Sequence, residues 1–184
     1  DTYLFAVAQR NSESAEILPE ELHFVGTVVK LKQVTRLPGG NLRITVQGLY
    51  RASVNAYEYD GSVFYASVEE LEPVHGSPEL EEAYFRTAKN ILQEIAQSDS
   101  KITKEVLASL DRCSDPDEFI NIAAHSLQMK PEMRQKILET VRVIERLEHL
   151  DRILNDEMEI SRLERKISAK VRQNIDKNQK EYFL

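Results

Sequence analysis

The sequence predicts an α+β protein with a small antiparallel, barrel-like β domain, a helical bundle and one very long C-terminal helix. Two observations carry this prediction. Up to about residue 74, short β-branched segments alternate with turn signals, a pattern typical of an antiparallel meander. From residue 75 onward the apolar residues recur three or four apart, which is the period of an α-helix. We therefore expect a β domain over 1–74, a helical subdomain over 75–139 and the long helix over 140–184.

The first part of the chain offers a series of short strands. The polar stretch Asn11–Glu21 indicates a loop, and Gly39-Gly40 and Asp60-Gly61 predict tight turns. After the first turn, apolar and polar residues alternate, which predicts a strand with one buried and one solvent-exposed face. The apolar positions are Leu42, Ile44 and Val46. The predicted strands are Leu4–Gln9, Val25–Val34, Leu42–Gln47, Ala52–Tyr59 and Val63–Leu71.

Each helix of the second part has a recognisable start. Ser77 precedes a proline, and Thr103 precedes an apolar run. Asp115 is followed by Pro116 and then by Glu118 at the third helical position, which resembles a capping box. Pro131 opens another short helix. These signals predict helices beginning near residues 78, 104, 116 and 131.

The segment Thr140–Leu184 contains neither proline nor glycine and predicts one continuous helix about 60 Å long, with Thr140 as its cap. That length exceeds the diameter of the preceding body. The apolar stripe along it must therefore pack on a partner or lead to a further module. The candidate assembly stripe comprises Leu154, Met158, Leu163, Ile167, Val171 and Ile175.

The composition excludes several classes of function. A net charge of −7 argues against bulk electrostatic binding of nucleic acid, and the basic residues between Arg162 and Lys180 are interpreted as a solvated helix face. No apolar run reaches the ~20 residues of a membrane span. Cys113 is the single cysteine, which fits a reducing, cytoplasmic compartment. The chain opens on Asp1 rather than Met and looks cut at both ends.

No constellation of catalytic residues is present in the sequence. There is no phosphate-binding Gly-x-x-x-x-Gly-Lys-Ser/Thr loop and no Gly-x-Ser-x-Gly elbow. The single cysteine has only Arg112 as a basic neighbour, and Glu145 with His149 is interpreted as an ion pair rather than a metal site. The histidines lie in four different segments, at His23, His75, His125 and His149. We therefore expect no catalytic, cofactor-binding or metal-binding residue, and a binding or structural module.

Several blocks of the sequence, in the right order, resemble the amino-terminal domain of bacterial Lon, the ATP-dependent protease. The blocks are Val25–Val28, Leu37–Ala52, Ile102–Leu110, Asp115-Pro116, Ile122–His125 and Asn178–Leu184. The last block resembles the stretch that runs on into the Lon ATPase module. The additional strand region with a Leu-Pro-Leu-Arg-like motif, with which the family normally opens, has no match here.

The resemblance implies a non-catalytic substrate-recognition and assembly domain. The parent it implies is an ATP- and Mg-dependent hexameric serine protease with a Ser-Lys dyad, which degrades misfolded and regulatory proteins. None of those catalytic modules is matched in this chain. The implied partners are unfolded or tagged proteins and further copies of the chain, without membrane or nucleic acid.

The sequence suggests candidate residues for contact with a substrate, but it does not define a single binding surface. Leu37, Pro38, Tyr50, Tyr57 and Tyr59 are candidate contacts for exposed apolar segments. The alternative is that the tyrosines are half-buried strand residues, because only a contiguous apolar patch signals binding. Two alternative functions also remain: a Lon-domain adaptor, or a coiled-coil assembly protein without a protease parent.

Overall fold

The computed structural model describes residues 2–11, 17–98 and 102–182. In this part of the chain, an antiparallel four-stranded sheet precedes five α-helices, the last of them 40 residues long. The predicted α+β class with a long C-terminal helix is confirmed. Residues 12–16 of the expected loop, and Phe183 and Leu184 at the end of the last block, lie outside the described residues.

The four strands follow one another across the sheet in chain order. Two segments expected to be separate, Leu42–Gln47 and Ala52–Tyr59, form one strand of 18 residues. No proline or turn residue divides them, and a one-residue bulge at Leu49 keeps the pairing continuous, with Val28 opposite Tyr50 and Val29 opposite Gly48. The strands are β1 Tyr3–Ala6, β2 Val25–Arg36, β3 Leu42–Tyr59 and β4 Phe64–Glu70.

Both predicted hairpin turns are present, and their glycines have positive φ. Gly39 and Gly40 have φ of 87° and 83°, and Gly61 has 92°, a region that side chains with a Cβ rarely adopt. In the second turn the Asp60 carboxylate accepts hydrogen bonds from the backbone N–H groups of Ser62 and Val63, and these bonds lower the pKa of Asp60.

The helices are α1 Pro78–Ser98, α2 Lys104–Arg112, α3 Pro116–Ser126, α4 Pro131–Glu139 and α5 Val143–Tyr182. The expected caps at Ser77, Thr103 and Asp115 are confirmed, since each side chain accepts a hydrogen bond from the backbone N–H three residues later. Thr140 does not cap α5; its hydroxyl donates to the Lys136 carbonyl at the end of α4. Among the described helices, none combines the length and the apolarity needed to cross a membrane.

The chain divides into two compact units, Asp1–Val74 with Pro131–Val141 and His75–Lys130 with Arg142–Leu184. The expected end of the β domain coincides with the first division. However, α4 belongs to the unit that contains the sheet, whereas the sequence grouped it with the other helices. The assignment of three domains stays a prediction.

In the first unit, buried polar side chains hold α4 on the sheet. Gln135 donates to the carbonyl of Val25, 3.0 Å away. The guanidinium of Arg51, on β3, donates to the carbonyls of Leu138 and Thr140. The last carbonyls of a helix have no partner within the helix, so a buried arginine placed there satisfies them.

In the second unit, the first half of α5 packs against α1 and α3. The Phe85 and Phe119 rings meet edge to face, with centroids 4.9 Å apart. On α1, Leu80 is exposed, whereas Phe85 is buried. The residues of α5 that are fully buried in this core are Val143, Leu147, Leu150 and Leu154.

A buried charge lies in the same core. The Arg146 side chain is 1% exposed and donates hydrogen bonds to the Asp117 carboxylate and to the Asn121 side-chain oxygen. Asp117 and Asn121 are four residues apart on α3 and so project from one face of that helix. The arginine therefore fixes α3 against α5 through two points of contact.

We expect Arg146→Met to lower the free energy of unfolding by about 3 kcal/mol, because it removes one half of a buried ion pair, the other half being the mostly buried Asp117. The matched control is Arg142→Met, since Arg142 is exposed and 3.8 Å from Glu145; its expected cost is below about 0.5 kcal/mol. Urea unfolding of the three proteins measures both values. Equal costs for the two variants would contradict a structural role for the buried pair.

Candidate functional site

An apolar groove runs across one face of the sheet. Phe5, Val28 and Tyr50 lie side by side on β1, β2 and β3, because Phe5 pairs with Val28 and Val28 pairs with Tyr50. The groove has a volume of about 550 Å³. Every residue that lines it is aliphatic or aromatic: Tyr3, Leu4, Phe5, Val28, Leu49, Tyr50, Ala66 and Val68. A surface of this kind favours binding of an apolar segment over chemistry on a polar substrate.

The floor of the groove depends on a close approach between β1 and β2. A Cβ on Gly26 would lie 2.4 Å from the Ala6 carbonyl oxygen and 2.9 Å from the Phe5 ring. Only glycine permits so close an approach of β1 to β2. In the sequence, this position is recognisable as a single glycine within a run of β-branched residues. Gly26 therefore sets the position of the Phe5 ring.

The five candidate substrate contacts lie at three places along the sheet. Tyr50 lines the groove and is 39% exposed. Leu37 and Pro38 belong to the turn between β2 and β3, about ten residues and therefore about 30 Å from the level of Tyr50. Tyr59 lies at the opposite end of β3, a similar distance away. The structure thus does not gather the candidates into one patch.

The remaining tyrosines have distinct surroundings. Tyr57 is half-buried, and within the described part of the chain its hydroxyl is buried without a hydrogen-bond partner. This burial raises the pKa of Tyr57. The exposed Tyr59 ring is tilted against the Phe64 ring across the strands, with centroids 4.7 Å apart. Phe64 and the neighbouring exposed Tyr65 were missed in the sequence, although their position beside the Asp60-Gly61 turn was a signal.

A second apolar surface lies on the ribbon formed by residues 31–36 and 42–49, here called the β2–β3 ribbon. The alternation of Leu42, Ile44 and Val46 predicted a buried face, and this prediction is wrong: all three side chains are exposed, Ile44 by 51%. Val34, opposite Ile44, is exposed as well. Alternation identifies the apolar face of a strand, but it does not determine whether another element covers that face.

The assembly stripe of α5 consists of two separate faces. Leu154 is fully buried in the helical unit, so it is not available to a partner, and Met158 is half-buried. The other four residues are exposed, at Leu163, Ile167, Val171 and Ile175. At 100° per residue, these four lie about 100° around the helix from the buried face. The exposed half of the stripe is therefore an additional face, not a continuation of the buried one.

The titratable side chains of the described residues have mainly local partners. No group of three or more His, Cys, Asp or Glu side chains suited to a metal ion occurs in the described residues. His23 and His75 each lie within hydrogen-bond distance of a carboxylate of their own unit, Glu139 and Glu81 respectively. The Glu81 contact raises the pKa of His75. Cys113 is buried and donates to the Asp115 carbonyl, and burial raises the pKa of its thiol.

Comparison with known proteins gives consistent matches. Residues 1–156 match the family model of the ATP-dependent protease La (LON) substrate-binding domain. The chain is 33% identical to the Lon protease of Desulforamulus reducens and 32% identical to that of Escherichia coli, in each case over its whole length. It spans 23% and 24% of those relatives, or about a quarter of their length.

The fold has a solved counterpart. The N-terminal domain of a Lon protease from the Mycobacterium avium complex superposes with a TM-score of 0.62 at 25% sequence identity. The superposition covers 78% of this chain and 74% of that domain. The sheet and helices described above therefore correspond to an amino-terminal part of the full-length relatives.

One titratable group away from these surfaces is strongly perturbed. The Asp151 side chain, on α5, is 8% exposed, and its Oδ1 is buried without a hydrogen-bond partner among the described residues. Burial, with a smaller contribution from the nearby Glu148, raises the pKa of Asp151 to about 6. Glu148 itself accepts a hydrogen bond from the Tyr84 hydroxyl. Asp151 is thus a structural carboxyl that folds more favourably in its protonated form.

We expect the helical unit to lose stability between about pH 4 and pH 7. The pKa of Asp151 is higher in the folded state than its ordinary value of 3.8, so its contribution is fully present below pH 3.8 and is lost as the pH rises through about 6. The loss is at most about 3 kcal/mol. Unfolding at pH 4, 6 and 8 should show this decline, and Asp151→Asn should remove it.

The matched control is Asp156→Asn, because Asp156 is an exposed carboxyl on the same helix. It should leave the dependence of stability on pH unchanged. A decline that persists in Asp151→Asn would assign the titration to another group.

Proposed function

Since the chain belongs to the family of substrate-binding domains of ATP-dependent protease La (Lon), we propose that it recognises unfolded polypeptide for a Lon-type protease. It does so without any chemistry of its own. Its role is to hold an exposed apolar segment of a substrate while the reaction takes place in other modules of the parent protein.

The apolar groove is the observation that carries this proposal. A folded protein buries most of its large apolar side chains, whereas an unfolded one presents them, so a groove lined by aliphatic and aromatic residues favours the unfolded state. Tyr50 and Tyr3 at the groove supply large contact areas with little loss of side-chain entropy. We assign the first contact with substrate to Tyr50, and secondary contacts to Leu37, Pro38, Tyr57 and Tyr59.

The proposal also concerns the longer protein in which this chain would act. The named relatives are Lon proteases about four times as long as this chain. We propose that the chain acts within such a protease, in the cytoplasm, and that the parent binds ATP and Mg and cleaves misfolded and regulatory proteins with a Ser-Lys dyad. No residue of this chain takes part in those steps.

Binding by one copy is expected to be weak. A shallow apolar groove contributes little beyond the entropic cost of holding a flexible chain, so a Kd between micromolar and millimolar is expected. Several copies in one assembly would act together on a long substrate and raise its apparent affinity. Recognition and assembly are therefore parts of the same proposal.

The exposed face of α5 provides the means of assembly. Its four apolar residues repeat every four positions over about 18 Å of helix. A row of this kind on a helix is suited to packing against another helix. We propose that this face joins copies of the chain, within a hexamer in the parent protein.

The groove is tested by Tyr50→Ser, with Tyr65→Ser as the matched control, because Tyr65 is also an exposed tyrosine of the sheet but does not line the groove. We expect the affinity for an unfolded protein to fall about fivefold in the first variant, since one aromatic contact is removed, and to stay within about twofold in the second. Titration of the isotope-labelled chain with the unfolded and folded forms of one protein measures this. An equal response to both forms would contradict recognition by the groove.

The assembly face is tested by Ile167→Asp with Val171→Asp. Two charges placed in an apolar contact are costly to bury, so concentration-dependent self-association should be lost. The matched control adds the same two charges on the opposite side of α5, as Ala169→Asp with Gln173→Asp, and should associate normally. Sedimentation velocity over a range of concentrations reports the outcome. A monomeric native chain at high concentration would contradict the proposal.

A further inference from the structure

The β2–β3 ribbon extends beyond the strands that flank it. β1 pairs with β2 only up to Lys30, and β4 pairs with β3 only from Ala52 onward. Apart from a bond from the Leu31 N–H to the Thr2 carbonyl, the two strands of the ribbon pair only with each other in the described part of the chain. Both outer edges of the ribbon therefore present backbone N–H and C=O groups suited to pairing with another strand.

One face of the ribbon is apolar. Val34 lies opposite Ile44, and Leu31 lies opposite Val46, so their side chains share one face of the pair. Exposed residues on this face are Val34, Leu42, Ile44 and Val46. A two-stranded ribbon is marginally stable on its own in water, and a further strand or a covering chain would bury this surface.

The charge of the ribbon is opposite to that of the whole chain. Between Val25 and Tyr57 there are five Lys and Arg residues and no Asp or Glu, although the chain has a net charge of −7. Three of the cations belong to the ribbon and are exposed: Lys32, Arg36 and Arg43. This segregation favours a partner that is acidic.

We propose that the β2–β3 ribbon binds an extended acidic polypeptide segment, which adds to a ribbon edge as a further strand. Apolar residues of the segment lie beside the face around Ile44. Its acidic residues are attracted to the exposed cations of the ribbon, with Arg36 on that face, Arg43 on the opposite face and Lys32 at the bulge between Leu31 and Gln33. Nucleic acid would match the charge alone, whereas a polypeptide strand matches the charge, the apolar face and the unpaired backbone edge. This inference rests on the proposed function, because it specifies which unfolded segments are preferred.

The test compares three fluorescent eight-residue peptides in which valine alternates with glutamate, serine or lysine. The glutamate peptide should bind about tenfold more tightly than the lysine peptide at low salt, and the difference should shrink as salt is added. A triple variant should reverse this preference, so that the lysine peptide binds more tightly than the glutamate peptide. Its substitutions are Lys32→Glu, Arg36→Glu and Arg43→Glu. The matched control makes the same charge change on α5, with Lys166→Glu, Lys170→Glu and Lys177→Glu, and should leave the preference intact. Anisotropy measures all three affinities.

Hydrogen exchange adds a measurement that does not depend on any variant. Binding of the glutamate peptide should slow exchange of amides within 31–36 or 42–49, because strand addition pairs them. Protection confined to the groove, at residues 3–5, 28, 50 and 66–68, would overturn the proposal, as would tighter binding of single-stranded DNA or self-association through the ribbon. If unfolded protein binds without any preference for acidic peptides, this inference fails and the proposed function stands. If no polypeptide binds at all, both fail.

Discussion

The buried charge of Arg146 is the constraint on which the helical unit depends. A guanidinium that is 1% exposed is tolerated only where oxygen acceptors meet it, and the Asp117 and Asn121 oxygens that do so come from α3. The adjacent turns of α5 then bury Leu147 and Leu150 completely. Hydrophobic contact is non-directional, whereas hydrogen bonds from one guanidinium to Asp117 and Asn121 require a defined position of α3 beside α5. The apolar core and the buried arginine therefore both hold the unit together, and the arginine also relates the position of α3 to that of α5.

A second buried arginine plays a comparable part in the unit that contains the sheet. Arg51 satisfies the last carbonyls of α4 and so attaches this short helix to β3. Arg146 and Arg51 thus both have structural roles, each within its own unit. The surfaces proposed for binding are instead apolar: the groove beside Tyr50, the β2–β3 ribbon and the exposed face of α5. Exposed apolar surfaces of this kind are typical of sites that bind other protein chains.

Much of this architecture was visible in the sequence because it depends on local chemistry. The N-caps at Thr103 and Asp115 are set by one side chain and the backbone three residues later. The β2–β3 turn requires positive φ at Gly39 and Gly40, which is a property of those residues themselves. The resemblance to Lon proteases likewise rests on short blocks that keep their order. Such features involve neighbours in the chain, so periodicity and residue type are enough to find them.

The sequence by itself determined the α+β class, the turns, the caps and the 40-residue helix, because each is a consequence of local residue preferences. Only the tertiary structure decided which apolar residues are covered. Alternation made Ile44 look buried, and helical spacing made Leu154 look available to a partner, yet Ile44 is exposed and Leu154 is fully buried. Periodicity gives the direction in which a side chain points from its own element. Whether water or protein lies in that direction depends on elements distant in the chain, and no local pattern records their positions.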